Sequence, residues 1–167
     1  MATSPSEGFY KDTIREEGKR LIAYLDLPGT PGAKWTIGFG NTTMPDGSPV
    51  KQGDTITEDQ AVEMFRSYVQ KKIQPYLDKL PRLTQNEVDA LASLAYNSGP
   101  GILAETGSTL GKTLHKMQTC PPDKIPQFRT RAAIEIMRWI FDENRKPTLK
   151  DRRYREALKF AGEDVLA

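Results

Sequence analysis

The sequence predicts an α+β fold that is predominantly helical, with a small N-terminal β-hairpin lobe, a long connecting helix and a helical C-terminal lobe. Three observations predict it. Lys34 to Phe39 alternates in strand period just after a turn-dense run, Asp26-Leu27-Pro28-Gly29-Thr30-Pro31-Gly32. Two capping boxes, Thr57 with Gln60 and Thr84 with Glu87, each open a stretch of helical period. Helical patterns then follow to the end of the chain.

Residues 1–9 read as a flexible lead-in, and residues 10–167 as a single domain. The start, MATSPSEG, has neither the basic n-region nor the apolar h-region of a secretory signal. A first helix is expected from about Tyr10 to Ile22, with Ile14, Glu17, Gly18, Leu21 and Ile22 on one stripe. Ala23 to Leu25 is short and β-tolerant. Beyond the turn, Trp35, Ile37 and Phe39 share one strand face, and Thr36, Gly38 and Gly40 share the other. The hairpin should therefore have one packed side and one bare side. Asn41 to Asp54 is polar and turn-rich, with room for a third strand around Pro49 to Lys51, so the β lobe spans about 20–56.

The connecting helix, about 58–79, carries Ala61, Met64, Phe65, Tyr68 and Val69 on one side, and Pro75 should kink or end it. The helical lobe spans about 84–162. Its first helix holds Leu91, Leu94, Ala95 and Tyr96 and stops near Gly99-Pro100-Gly101. Ser108 or Thr109 caps the next, which carries Leu110, Leu114 and Met117. After Pro121-Pro122 a helix ends near Trp139, and a basic helix runs from about Leu149 to Phe160, closed by Gly162.

Composition narrows the function. At 167 residues the chain can bury one good core. Lys+Arg 24 against Asp+Glu 22 leaves a net charge of +2, too weak to point to nucleic acid by itself. The single cysteine, Cys120, excludes an intrachain disulfide framework and reads as a structural thiol. The one histidine, His115, sits beside the Leu110-Leu114-Met117 stripe and should be exposed, so no metal site or cofactor is indicated. No stretch approaches the roughly 18 apolar residues of a membrane span.

Glu17 stands out because it falls where a core residue would point. A carboxylate partly removed from water is hard to ionise, which suits a general acid. Its neighbour Glu16 lies on the opposite face, four residues before Arg20, as a solvated partner. Glycosidic hydrolysis needs two carboxylates with different environments. Asp26, beside a Pro-Gly turn, should stay wetter and ionised, and the Thr36 hydroxyl could help hold a water. By spacing alone the bland readings stay open: a buried ion-pair partner, a turn aspartate and a strand threonine.

The residues themselves carry more. Glu17-Gly18, Leu21, Tyr24, Asp26, Gly29 and Thr36-Ile37-Gly38-Phe39-Gly40 together resemble the catalytic region of the phage-type lysozymes, or endolysins, a family of glycoside hydrolases. The likeness continues through Val50 to Ala61, through QNEVDALASLAYNSG from Gln85 to Gly99, and through Ser108-Thr109-Leu110, Trp139 and Arg152-Arg153 with Glu156. It covers roughly residues 10 to 162, with several motifs in order. The resemblance implies a lysozyme-like fold and a catalytic triad of Glu17, Asp26 and Thr36. It also implies substrate-binding positions at Tyr96 and Thr109, for which a core tyrosine and a helix cap are equal alternatives. The Arg152-Arg153 pair reads as a solvated basic face, or, as the resemblance suggests, as a partner for Glu17.

The implied activity is that of a muramidase on peptidoglycan glycan strands, without cofactor or metal, as a monomer that binds no nucleic acid. The setting would be the bacterial cell wall. The chain would be a phage endolysin released through a holin-type pore, or the wall-degrading domain of a secreted antibacterial effector with an immunity protein as partner. Rival readings are a lytic transglycosylase and a non-catalytic peptidoglycan-binding module, with a nucleic-acid binder last. Three departures mark this chain: a lengthened turn over residues 27–35, Asn41 where many relatives have histidine, and a C-terminal lobe with Thr148-Leu149 and a proline-rich stretch from Thr119 to Gln127.

Overall fold

The computed structural model describes residues 4–139 and 149–162. The chain forms two compact units, one of Tyr10–Lys71 and one of Met1–Phe9 with Lys72–Ala167. Thr148, one of the departures noted above, lies outside the described residues.

In the first unit, helix α1 (Glu7–Glu17) delivers the chain to a hairpin of β1 (Arg20–Asp26) and β2 (Lys34–Gly38). The helix stops five residues earlier than its apolar stripe suggested. Gly18 adopts a left-handed φ of 70°, the conformation that ends helices at little cost only when the residue has no Cβ. Leu21 and Ile22 therefore belong to β1, and Ile22 is 66% exposed. The strands are antiparallel with Tyr24 opposite Thr36, Leu25 opposite Trp35 and Asp26 opposite Lys34, and the register shifts between Arg20 and Tyr24.

The third strand expected at Pro49 to Lys51 does not form. Pro49 makes only an isolated bridge with Thr43. The outer edge of β1 is paired farther along instead: Ala23 N–H donates to the Asp54 carbonyl and Ile56 N–H to that of Leu21. Proline lacks a donor, so Pro49 cannot extend its bridge with Thr43 into a ladder. The expected bare face is also covered. A Cβ on Gly38 would meet Ile56 Cδ1 at 3.3 Å and Ala61 Cβ at 3.5 Å, and Thr36 is only 3% exposed. Phe65 anchors the other packing, edge-on to Tyr10 and to Phe39 at centroid distances of 5.5 and 5.9 Å.

Helix α2 (Glu58–Tyr68) opens with the expected capping box, formed by the Thr57 and Gln60 side chains. It does not run unbroken to residue 79. A π-helical turn spans Val69–Ile73, and α3 (Gln74–Leu77) restarts with Pro75 in its first turn, where a missing N–H costs nothing.

The second unit packs α4 (Gln85–Ser98), α5 (Thr109–Thr119), α6 (Ile125–Met137) and α7 (Lys150–Ala161) around fully buried Leu91, Leu94, Leu110, Leu114 and Ile136. Helix α5 is capped by Ser108, whose Oγ accepts from Gly111 N–H at 2.9 Å. Gly111 is needed for space: a Cβ there would lie 1.9 Å from the Ala104 carbonyl oxygen. The chain start is tied to this unit, which corrects the lead-in expectation for Ser6 to Phe9. Ser6 donates from its N–H and hydroxyl to the Asp89 carboxylate at 2.8 and 2.5 Å, and Phe9 is buried.

Charged groups inside this unit are fully engaged. Glu87, 1% exposed, accepts from Arg129 Nε at 2.6 Å while closing the second capping box with Thr84. Arg153, 0% exposed, donates to the Trp139 carbonyl at 2.8 Å, to Ser98 Oγ at 2.9 Å, to Glu156 at 2.5 Å and to Asn97 Oδ1. The basic face expected for the Arg152-Arg153 pair is therefore wrong for Arg153, whose guanidinium organises α4 and α7 from within.

Candidate active site

Glu17, Asp26 and Thr36 all lie in the hairpin unit, on three successive pieces of chain. Glu17 is the last residue of α1 and is half-buried. Because α1 ends there, Leu21 and Ile22 do not continue its helical stripe, and Glu17, partly removed from water as expected, sits at a helix end rather than on an apolar helical face. Asp26 is the last residue of β1 and is exposed; its Oδ1 accepts from Leu27 N–H at 3.1 Å. Leu27 holds a left-handed φ of 49°, unusual for a residue with a Cβ, and this backbone strain sits directly beside the carboxylate. Thr36 donates from Oγ1 to the Lys34 carbonyl at 3.2 Å, so its oxygen keeps lone pairs with which to accept.

The register explains how these residues relate. Tyr24 faces Thr36 across the ladder and lies two residues before Asp26, so Tyr24, Asp26, Thr36 and Lys34 project from one face of the hairpin. Arg20 places its guanidinium 4.2 Å from the Tyr24 ring centroid. Burial pushes the Tyr24 phenol above its ordinary value, and the Asp26 carboxylate pushes it further; Arg20 opposes the shift, and Glu17 adds to it. Both carboxylates therefore bear on one phenol. Arg20 and Tyr24 carried no functional role in the sequence reading, although Tyr24 stood in the motif. Its place two residues before Asp26 on a strand was the available signal.

The remaining expected positions lie in the helical unit. Tyr96 is half-buried on α4. Thr109 is exposed at the first residue of α5; Ser108, not Thr109, is the cap. His115 is half-buried rather than exposed, with Nε2 3.3 Å from the Leu103 carbonyl oxygen. Asn41 pairs its backbone with Ile37 across the tight turn after β2, and its Oδ1 is buried without a hydrogen-bond partner among the described residues. No grouping of side chains suited to a metal ion occurs among the described residues.

Comparison with known proteins places these residues in context. The family model described as phage lysozyme matches residues 14–156. An endolysin of Salmonella phage P22 is 41% identical over 103 residues, covering 60% of this chain and 66% of that protein. An endolysin of Bacillus phage PZA is 36% identical over 124 residues, covering 74% of this chain and 41% of that protein. The chain thus spans just under two thirds or less of these relatives' length. Among solved structures, a mutant P22 lysozyme aligns with a TM-score of 0.72 and 31% identity, covering 96% of this chain and 99% of that one. An endolysin of Escherichia coli O157:H7 phage FAHEc1 aligns with a TM-score of 0.73 and 28% identity, covering 94% and 92%.

Proposed function

Because the chain belongs to the phage lysozyme family, we propose that it is a peptidoglycan hydrolase of the muramidase type. It cleaves the β-1,4 bond between N-acetylmuramic acid and N-acetylglucosamine. The observation that carries this reading is the pair of carboxylates in unlike settings within one unit: half-buried Glu17 at a helix end and exposed Asp26 at a strand end.

In this reading Glu17 protonates the departing glycosidic oxygen, the role that suits the carboxyl with less access to water. Asp26 stays ionised and accepts a proton from the attacking water. Thr36, whose hydroxyl already donates to the Lys34 carbonyl, accepts a hydrogen bond from the water's other O–H, which stays with the oxygen that joins the sugar. One water held by two acceptors turns its oxygen lone pair toward the sugar. Within the helical unit, Tyr96 and Thr109 are the residues we propose to contact sugar, and the reaction uses no cofactor. Glycan strands of the bacterial cell wall are the substrate, reached as a phage endolysin or as the wall-degrading domain of a secreted effector. No described helix is long and apolar enough to cross a membrane.

Glu17→Gln tests the assignment. Removing a general acid typically costs about 10²–10⁴-fold in rate, so lysis of purified sacculi should fall by at least that lower bound while the melting temperature holds. Lysis at the parental rate would end the assignment. A lytic transglycosylase, the rival reading, needs no held water, and Asp26→Asn would then leave its rate unchanged.

A further inference from the structure

Tyr24 combines several features that the proposed reaction leaves unused. Its ring is held by the Arg20 guanidinium at 4.2 Å, a cation–π contact that fixes its direction. It shares a hairpin face with Asp26 and Thr36 through the ladder register. Its hydroxyl makes no hydrogen bond among the described residues and is not one of the buried polar atoms, so it is open to a ligand from solvent. Burial first, then the Asp26 carboxylate and, against the pull of Arg20, that of Glu17 disfavour the phenolate, so the group stays a neutral donor.

We propose that Tyr24 is a substrate-contacting residue whose hydroxyl donates a hydrogen bond to an oxygen of an N-acetylhexosamine unit lying against the accessible Tyr24–Asp26 end of this hairpin face, with Arg20 as the clamp that aims the ring. The inference rests on the muramidase reading and deepens it. A phenol donor beside Asp26, which in its ionised form can only accept, completes the polarity of the site, since the Glu17 proton is committed to the glycosidic oxygen. A sugar presents both kinds of group, and a face able to do one alone would leave half of them unpaired.

The test separates binding from turnover. An oligomer of N-acetylglucosamine is titrated by calorimetry into Glu17→Gln and into Glu17→Gln with Tyr24→Phe. Loss of one hydrogen bond should weaken the second by about tenfold, with melting temperatures unchanged because only an unpartnered hydroxyl is removed. Arg20→Met, in the same background, should weaken binding in the same direction by releasing the ring. Equal affinities for the parent background and the Tyr24→Phe variant, or no binding by either, overturn the proposal. Failure of the intact chain to cleave sacculi would instead overturn the muramidase reading, and the oligomer titration would still report on Tyr24 alone.

Discussion

The two units treat their charged residues in opposite ways. In the hairpin unit, Glu17 and Asp26 sit at the ends of elements, half-buried and exposed, and Asp26 has one described hydrogen bond, from Leu27. In the helical unit, Glu87, Glu156 and Arg153 are buried and saturated with partners. A buried charge must be paired or it destabilises the fold, so the second group is committed to structure. A carboxylate at a helix or strand end retains access to water and can exchange protons. The difference separates charges that hold this protein together from charges available for chemistry.

Two glycines break the comparison most sharply. Gly111→Ala drives a Cβ to 1.9 Å from a backbone oxygen of the helical unit, where neither side can yield. It should cost upwards of about 4 kcal/mol, lowering the melting temperature by roughly 10 °C as read by calorimetry. Gly18→Ala in the hairpin unit meets nothing within 4 Å and suffers only the left-handed φ, about 1–2 kcal/mol. Equal losses would show that the helical unit is less tightly packed around Ala104 than described.

Arg153→Ala comes next. It strips Glu156 of its closest cation and should destabilise by about 3–5 kcal/mol, with the rate of lysis per folded molecule kept within severalfold. A collapse of activity at unchanged melting temperature would move Arg153 from the structural class to the site. Alkaline pH gives the smallest effect. The phenols of Tyr24 and Tyr68, both in the hairpin unit, are raised above 10.0, in each case first by burial. Their contribution is therefore fully present below pH 10.0 and lost as the pH climbs through their folded values. Stability measured by denaturant should fall in that range, and Tyr24→Phe should blunt the fall.

Much of this was legible in the sequence where the signal is local. The Thr57–Gln60 and Thr84–Glu87 boxes form as their spacing requires, because capping needs only four consecutive residues. The Trp35–Ile37–Phe39 alternation gave β2. What failed depended on contacts distant in sequence or on one backbone angle. The apolar stripe through Leu21 and Ile22 concealed the end of α1, although Gly18 was the natural stop signal. The Thr36–Gly38 face looked bare because Ile56 and Ala61, which cover Gly38, lie about twenty residues downstream. Arg153 looked like a solvated charge because its partners Asn97 and Ser98 are over fifty residues away. Asp26 and Thr36 were legible as a pair from the hairpin, whereas the relation of Tyr24 to both carboxylates needed the register.

Hydrolysis at the hairpin unit requires both its acid, Glu17, and its water-holding pair, Asp26 and Thr36. Mass spectrometry of the muropeptides released from purified sacculi tests it most directly, with the Glu17→Gln protein as control. Hydrolysis should release disaccharide-peptides ending in reducing N-acetylmuramic acid from the parent chain and none from the control. A 1,6-anhydro end, or the same products from the control, would contradict it.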